Sequence, residues 1–212
     1  MEKRNTILLT VIAVATLLVA VVGATFAYFA QSGDYNATAN LTANTAAASS
    51  SFVATGSAIQ LEVTAAQMVK ALEGNVANTS TVENAITVSF TSGSTEQLSC
   101  TYDIYYKWTD SSDTYTMSNG AANSKEFTYE ITKNGSAFAG GETNFATKDA
   151  ADHVVDTSAK QTITNKSATE ATVDRYNVTV RFYNLAQDQS IDSNNQSGKH
   201  WALQFGVKNV LC

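Results

Sequence analysis

The segment Asp149-Ala-Ala-Asp152-His153-Val-Val-Asp156 brings three carboxylates and one of the chain's two imidazoles into eight residues. Oxygen and nitrogen donors of this kind can hold a divalent metal. No glycine lies in the run to bend the backbone around an ion, so it reads as a solvated loop between strands. A second stretch, Asp188-Gln-Ser190-Ile-Asp192-Ser-Asn194, alternates oxygen ligands like the start of a calcium loop. Its sixth position is Ser193 where such a loop needs glycine, and its twelfth is Lys199 where a glutamate belongs. A polar loop between the last two strands, turned at Gly198, is the expectation. The motifs HExxH, GxSxG, GxxxxGK and GxGxxG are absent, and His153 and His200 are the only histidines. The chain is therefore read as no enzyme, with no cofactor and no metal. Aromatic side chains on polar faces can stack on sugars. Tyr105, Tyr115 and Tyr183 are the candidates, whereas Tyr102, Tyr106, Trp108 and Trp201 fall on apolar faces and are expected in the core.

The remaining reactive side chains are Cys100 and Cys212. In an oxidising compartment an even cysteine count favours a bridge. Closing a loop of ~110 residues stabilises by roughly 4–5 kcal/mol in the chain-entropy model. The alternative is two independent thiols. No CxxC or Cys/His cluster suggests zinc.

The compartment follows from the first thirty residues. Met1-Glu-Lys-Arg4 precedes an uncharged run whose apolar heart is Ile7–Phe29. A positive start, a long apolar stretch and small residues at its end form an export signal. Its length also reaches the ~20 residues that span a bilayer, so removed signal peptide and retained anchor both stay open. In either case Lys3 and Arg4 place the N-terminus inside and the rest outside. The favoured cut lies between Ala27 and Tyr28, with Thr25 and Ala27 as the small residues that signal peptidase requires. This divides the chain into 1–27, a signal peptide or anchor; 28–52, a flexible arm; and 53–212, the folded domain.

Without residues 1–27 the chain keeps 11 basic and 18 acidic side chains. An acidic domain has no basic face for nucleic acid or anionic lipid, so the membrane is met only through residues 7–29. Proline is absent, although ordinary usage of ~5% predicts about ten. With it goes any LPxTG-type wall-anchoring signal.

Alternation of apolar and polar residues marks the strands. It runs through Ile59–Val63, Ile86–Phe90, Leu98–Trp108, Phe127–Ile131, Tyr176–Phe182 and Trp201–Val207, with Asn134-Gly135 as a hairpin turn toward Phe138. One apolar and one polar face, repeated six times, predicts an all-β fold: an antiparallel β-sandwich. One short helix is expected from the capping box Thr64-Ala-Ala-Gln67, with Met68 and Leu72 on one face and Gly74 as terminator. The arm Gln31–Ser51 carries only Tyr35 and Leu41 as large apolar groups in its interior. It cannot fold alone, and is either a spacer or a strand that needs a host.

The segment Gly23-Ala-Thr-Phe-Ala-Tyr-Phe-Ala30 resembles the signal of Gram-positive proteins processed by the signal peptidase SipW. Tyr176-Asn-Val-Thr-Val-Arg-Phe-Tyr-Asn184, then Asp188-Gln-Ser190 and Gly198-Lys199 before an aromatic strand, is similar to the last hairpin of that group, the TasA/camelysin type. The strand around Cys100-Thr-Tyr-Asp103 is also family-like. The resemblance implies a jelly-roll-like sandwich that is secreted to the cell surface and assembles into a fibre or biofilm matrix. It also implies that the freed N-terminus inserts as a donor strand into the next subunit, with Tyr28, Phe29, Tyr35 and Leu41 as the donor side chains. Partners would then be further copies, head to tail, other matrix or surface proteins, and the processing peptidase. A membrane-tethered binding or adhesion module is the alternative. A camelysin-like surface metallopeptidase is the third reading, for which the chain offers no zinc-ligand helix.

Overall fold

In the computed structural model the described residues are 41–44, 50–109, 125–146, 148–149, 151–189 and 198–212. Among these residues eleven strands form two sheets, and their pairings are antiparallel. The strands are β1 Leu41–Asn44, β2 Ser51–Gly56, β3 Ala58–Val63, β4 Val76–Thr91, β5 Ser99–Trp108, β6 Phe127–Lys133, β7 Ser136–Asn144, β8 His153–Val154, β9 Gln161–Thr164, β10 Thr172–Tyr183 and β11 Lys199–Leu211. The first sheet has the order β1-β2-β4-β10-β6-β7. The second has β3-β11-β5-β8, and β9 also pairs with β5.

The alternating residues face each other across the sandwich because successive side chains of a strand point to opposite sides. From the first sheet come Phe52, Ile86, Val88, Phe90, Phe127, Tyr129, Ile131, Tyr176, Val178, Val180 and Phe182. The second supplies Ile59, Leu61, Val63, Cys100, Tyr102, Ile104, Tyr106, Trp108, Trp201, Leu203, Phe205 and Val207. All are buried. Each large apolar side chain removed from water contributes about 1.5–3 kcal/mol. The rings pack in contact: Phe127 lies 4.5 Å from Trp201 and 4.5 Å from Phe145, and Phe182 lies 5.0 Å from Trp201. The all-β sandwich is thus the fold, and Cys100 and Cys212 are joined by a disulfide. Phe52, beside the 52/53 boundary, is fully buried in this core.

Asn134 and Gly135 take φ of 49° and 83° between paired Lys133 and Ser136, so the two-residue hairpin turn has the primed geometry its sequence favours. β4 extends well before Ile86. Its first half carries Asn78, Thr79, Ser80 and Thr81, whose polar side chains hide the strand from a hydrophobic-alternation reading. A bulge at Asn84 (φ 53°) separates the halves, and the Asn84 N–H donates to Asn177 Oδ1 at 2.8 Å.

The expected short helix is not a helix of ten residues. Thr64–Leu72 forms two separate 3-10 turns, Ala65–Gln67 and Lys70–Leu72. The capping interaction is present, with the Thr64 N–H donating to Gln67 Oε1 at 2.9 Å. One turn later the Val69 N–H donates to Asn184 Oδ1 at 2.7 Å. A tertiary acceptor there takes the place of the intrahelical one, and a segment this short cannot outbid it. Among the described residues no helix is long and apolar enough to cross a membrane, and residues 1–40, including the expected signal or anchor helix, lie outside them.

Candidate functional site

A β-sandwich meets other chains most readily where a sheet ends, because an edge strand leaves a row of backbone N–H and C=O groups unpaired. The two edges of the first sheet differ. At one end β7 carries three successive positive φ values, 51° at Ala139, 84° at Gly140 and 90° at Gly141. The register with β6 breaks there: Tyr129 faces Thr143 while Ile131 faces Phe138. A bulge of that size bends the strand and spoils it as a template. At the other end β1 is regular: among the described residues it pairs from Leu41 opposite Ala54 to Asn44 opposite Ser51 without a shift in register.

The edges of the second sheet are more covered. β8 and β9 are short strands on β5, and the outer side of β3 receives Asn78 Nδ2 from β4 on the carbonyl of Glu62. Among the described residues the β1/β2 edge is therefore the regular one, and the segment that builds it belongs to the N-terminal arm. Of the donor-arm residues, Leu41 is placed on β1. Tyr28, Phe29 and Tyr35, with the Ala27–Tyr28 junction, lie outside the described residues.

The acidic stretch is spread among separate partners. His153 Nε2 lies 2.8 Å from Asp149 Oδ1 and its ring stacks on Tyr106, with centroids 5.0 Å apart. Asp152 receives Lys208 Nζ at 2.9 Å. The half-buried Asp156 accepts from the hydroxyl and backbone N–H of Ser158, which holds its pKa below the usual value. Among the described residues no three acidic, histidine or cysteine side chains converge on a point where a metal would sit. In the second polar stretch only Asp188 and Gln189 are described.

The three tyrosines proposed for sugar stacking part company. Tyr115 is outside the described residues. Tyr105 is 2% exposed, against expectation. Its ring lies over Gly206 of β11, which has no side chain to displace it, and Lys208 Nζ stands 5.5 Å from the ring centroid. Tyr183 is half-buried and lines a cleft of about 550 Å³ with Thr128, Glu142 and Asn184. Its hydroxyl donates to Glu142 Oε1 at 2.7 Å, and burial, then this carboxylate, raise its pKa.

Two buried polar groups correspond to no single motif in the sequence. In the first, the hydroxyls of Tyr102 and Tyr176 lie 2.7 Å apart, and Tyr102 donates to Asp174 Oδ2 at 2.8 Å. Lys133 Nζ pairs with the same oxygen at 2.8 Å, and Asn134 Nδ2 reaches Asp174 Oδ1 at 3.0 Å. In the second, Glu126 Oε1 accepts from Lys199 Nζ and from Gln189 Nε2, each at 2.8 Å. The Lys199 and Glu126 side chains are 1% and 0% exposed. A signal was present in the alternation. Lys199 is in phase with Trp201 and Leu203, and Asp174 with Tyr176 and Val178; a charge on a core face requires a partner.

No protein-family model matches this chain, and no curated protein matches it.

Proposed function

We propose that the chain is an exported structural protein, a subunit of an extracellular fibre or biofilm matrix whose jelly-roll-like sandwich receives the N-terminal arm of a neighbour as an added strand. The observation that carries this reading is the pairing of Leu41–Asn44 with β2. The end of an arm too polar to fold alone forms a strand on a host sheet, at that sheet's regular edge. Backbone pairing at such an edge supplies affinity, and alternate side chains supply specificity. When the arm of one subunit takes the place of its neighbour's β1, the contact is head to tail and does not close, so it propagates as a filament.

Electron microscopy of purified protein beginning at Tyr28, beside a version beginning at Ser51, tests this. Filaments from the longer form alone are expected. Monodisperse particles from both would reject the fibre. A native protein with residue 1 intact in the membrane fraction would support the tethered adhesion module instead.

A further inference from the structure

The buried Glu126–Lys199–Gln189 group has the arrangement of an acyl-transfer site. Lys199 Nζ is an amine, and Gln189 presents a carboxamide. Both donate to the single oxygen Glu126 Oε1, so amine and amide stand within two hydrogen-bond lengths of each other. The Gln189 carbonyl oxygen accepts the backbone N–H of Leu185 at 2.6 Å, which is where an oxyanion formed on that carbon would need a donor. The amide nitrogen is held additionally by the Tyr183 carbonyl at 3.1 Å. The site is dry and aromatic, with Lys199 Nζ 5.8 Å from the ring centroid of Phe182. In such surroundings the charged pair is costly, and passing the ammonium proton to the carboxylate yields a neutral, nucleophilic amine.

We propose that Lys199 and Gln189 form an intramolecular amide cross-link, with Glu126 as the proton carrier. Glu126 takes a proton from Lys199, and the neutral Nζ attacks Cδ of Gln189. The carbonyl electrons move onto the oxygen facing the Leu185 N–H. Glu126 returns its proton to Nε2, the Cδ–Nε2 bond breaks, and the carbonyl re-forms. Ammonia departs with the remaining Nζ proton as ammonium, leaving Glu126 ionised and a Cδ–Nζ amide in place. No oxidant, cofactor or second enzyme is needed. The product pins β11 covalently at both ends, through Lys199 to the residues after β10 and through Cys212 to β5, as suits a chain that bears tension in a fibre.

Mass spectrometry of the full exported chain, disulfide reduced, decides the matter. The expected mass is one ammonia below the sequence mass, with a branched tryptic peptide joining Lys199 to Gln189 and no cleavage after Lys199. Glu126→Gln should restore the full mass while still forming the Cys100–Cys212 disulfide. A wild-type chain at full mass and cut by trypsin after Lys199 would overturn the proposal, whatever the variants do. So would an ammonia loss located by fragmentation at any other residue. Neither outcome depends on whether filaments form.

Discussion

Burial sets the chemistry of the tyrosines. The Tyr106 hydroxyl is pushed up to about 12 by burial, against the opposing hydrogen bond from the Ala146 N–H. Burial likewise raises Tyr102, Tyr129 and Tyr176 above the ordinary value. A folded state that keeps these protons while the unfolded chain releases them has its full stability below pH ~10, the unfolded value, and loses it as pH rises above that. For Tyr106 the window runs from there to about 12. Urea midpoints should be flat from pH 7 to 9 and fall steeply above 10, with the tyrosinate absorbance of Tyr102, Tyr106, Tyr129 and Tyr176 appearing only as the fold is lost. Titration of all nine tyrosines near pH 10 in the folded protein would contradict this. Asp174 is the second test at this scale, because Asp174→Ala leaves Tyr102, Lys133 and Asn134 without their shared acceptor. A loss of roughly 2–4 kcal/mol is expected from urea denaturation. A change below half a kcal/mol would mean water replaces the carboxylate.

Elements here are held at their ends by single side chains. Asn165, 7% exposed, accepts the Leu98 N–H at 2.6 Å and donates to the carbonyls of Ser94 and Glu96, tying the entry to β5 against the end of β9. Asn165→Ala should cost about 2 kcal/mol and raise amide exchange at Leu98 while sparing β10. Uniform exchange throughout the chain would instead show that the turn has no stability of its own. The Cys100–Cys212 bridge, 112 residues apart in sequence, pins the C-terminal end of β11 to β5. Cys212→Ser should lower stability by roughly 4 kcal/mol, less where the reduced unfolded chain stays compact. Equal denaturation midpoints with and without reductant would disprove that contribution.

Assembly belongs to the whole molecule, since it asks whose arm lies on which sheet. Thr42 faces Val53 in the β1–β2 pairing. On the proposed arm exchange, a Thr42→Cys, Val53→Cys chain should oxidise within one molecule while monomeric and between molecules in any fibre it forms. Denaturing, non-reducing electrophoresis would then show a ladder from fibres alone. Fibres that dissolve into single cross-linked chains would establish that the arm stays on its own sheet and that some other surface polymerises.

Six stretches of period-two alternation were enough to read the sandwich, its principal strands and the Asn134-Gly135 turn. One buried face and one wet face leave that pattern in the sequence wherever a strand sits at the core. The even cysteine count pointed to the bridge once the chain was read as exported, and Cys100 and Cys212 are joined. Tertiary structure alone decided the rest. The polar half of β4 is a strand because β10 lies beside it. Thr64–Leu72 stays in two turns because Asn184 supplies an acceptor from the other side of the chain, and Tyr105 is buried because Gly206 makes room. Glu126, Gln189 and Lys199 converge from separate parts of the chain, as do Tyr102, Lys133 and Asp174. Alternation records whether a side chain faces the core, but not which distant residue it meets there. The meeting of an amine, a carboxylate and an amide is a long-range fact, set by the order and register of strands that no local pattern contains.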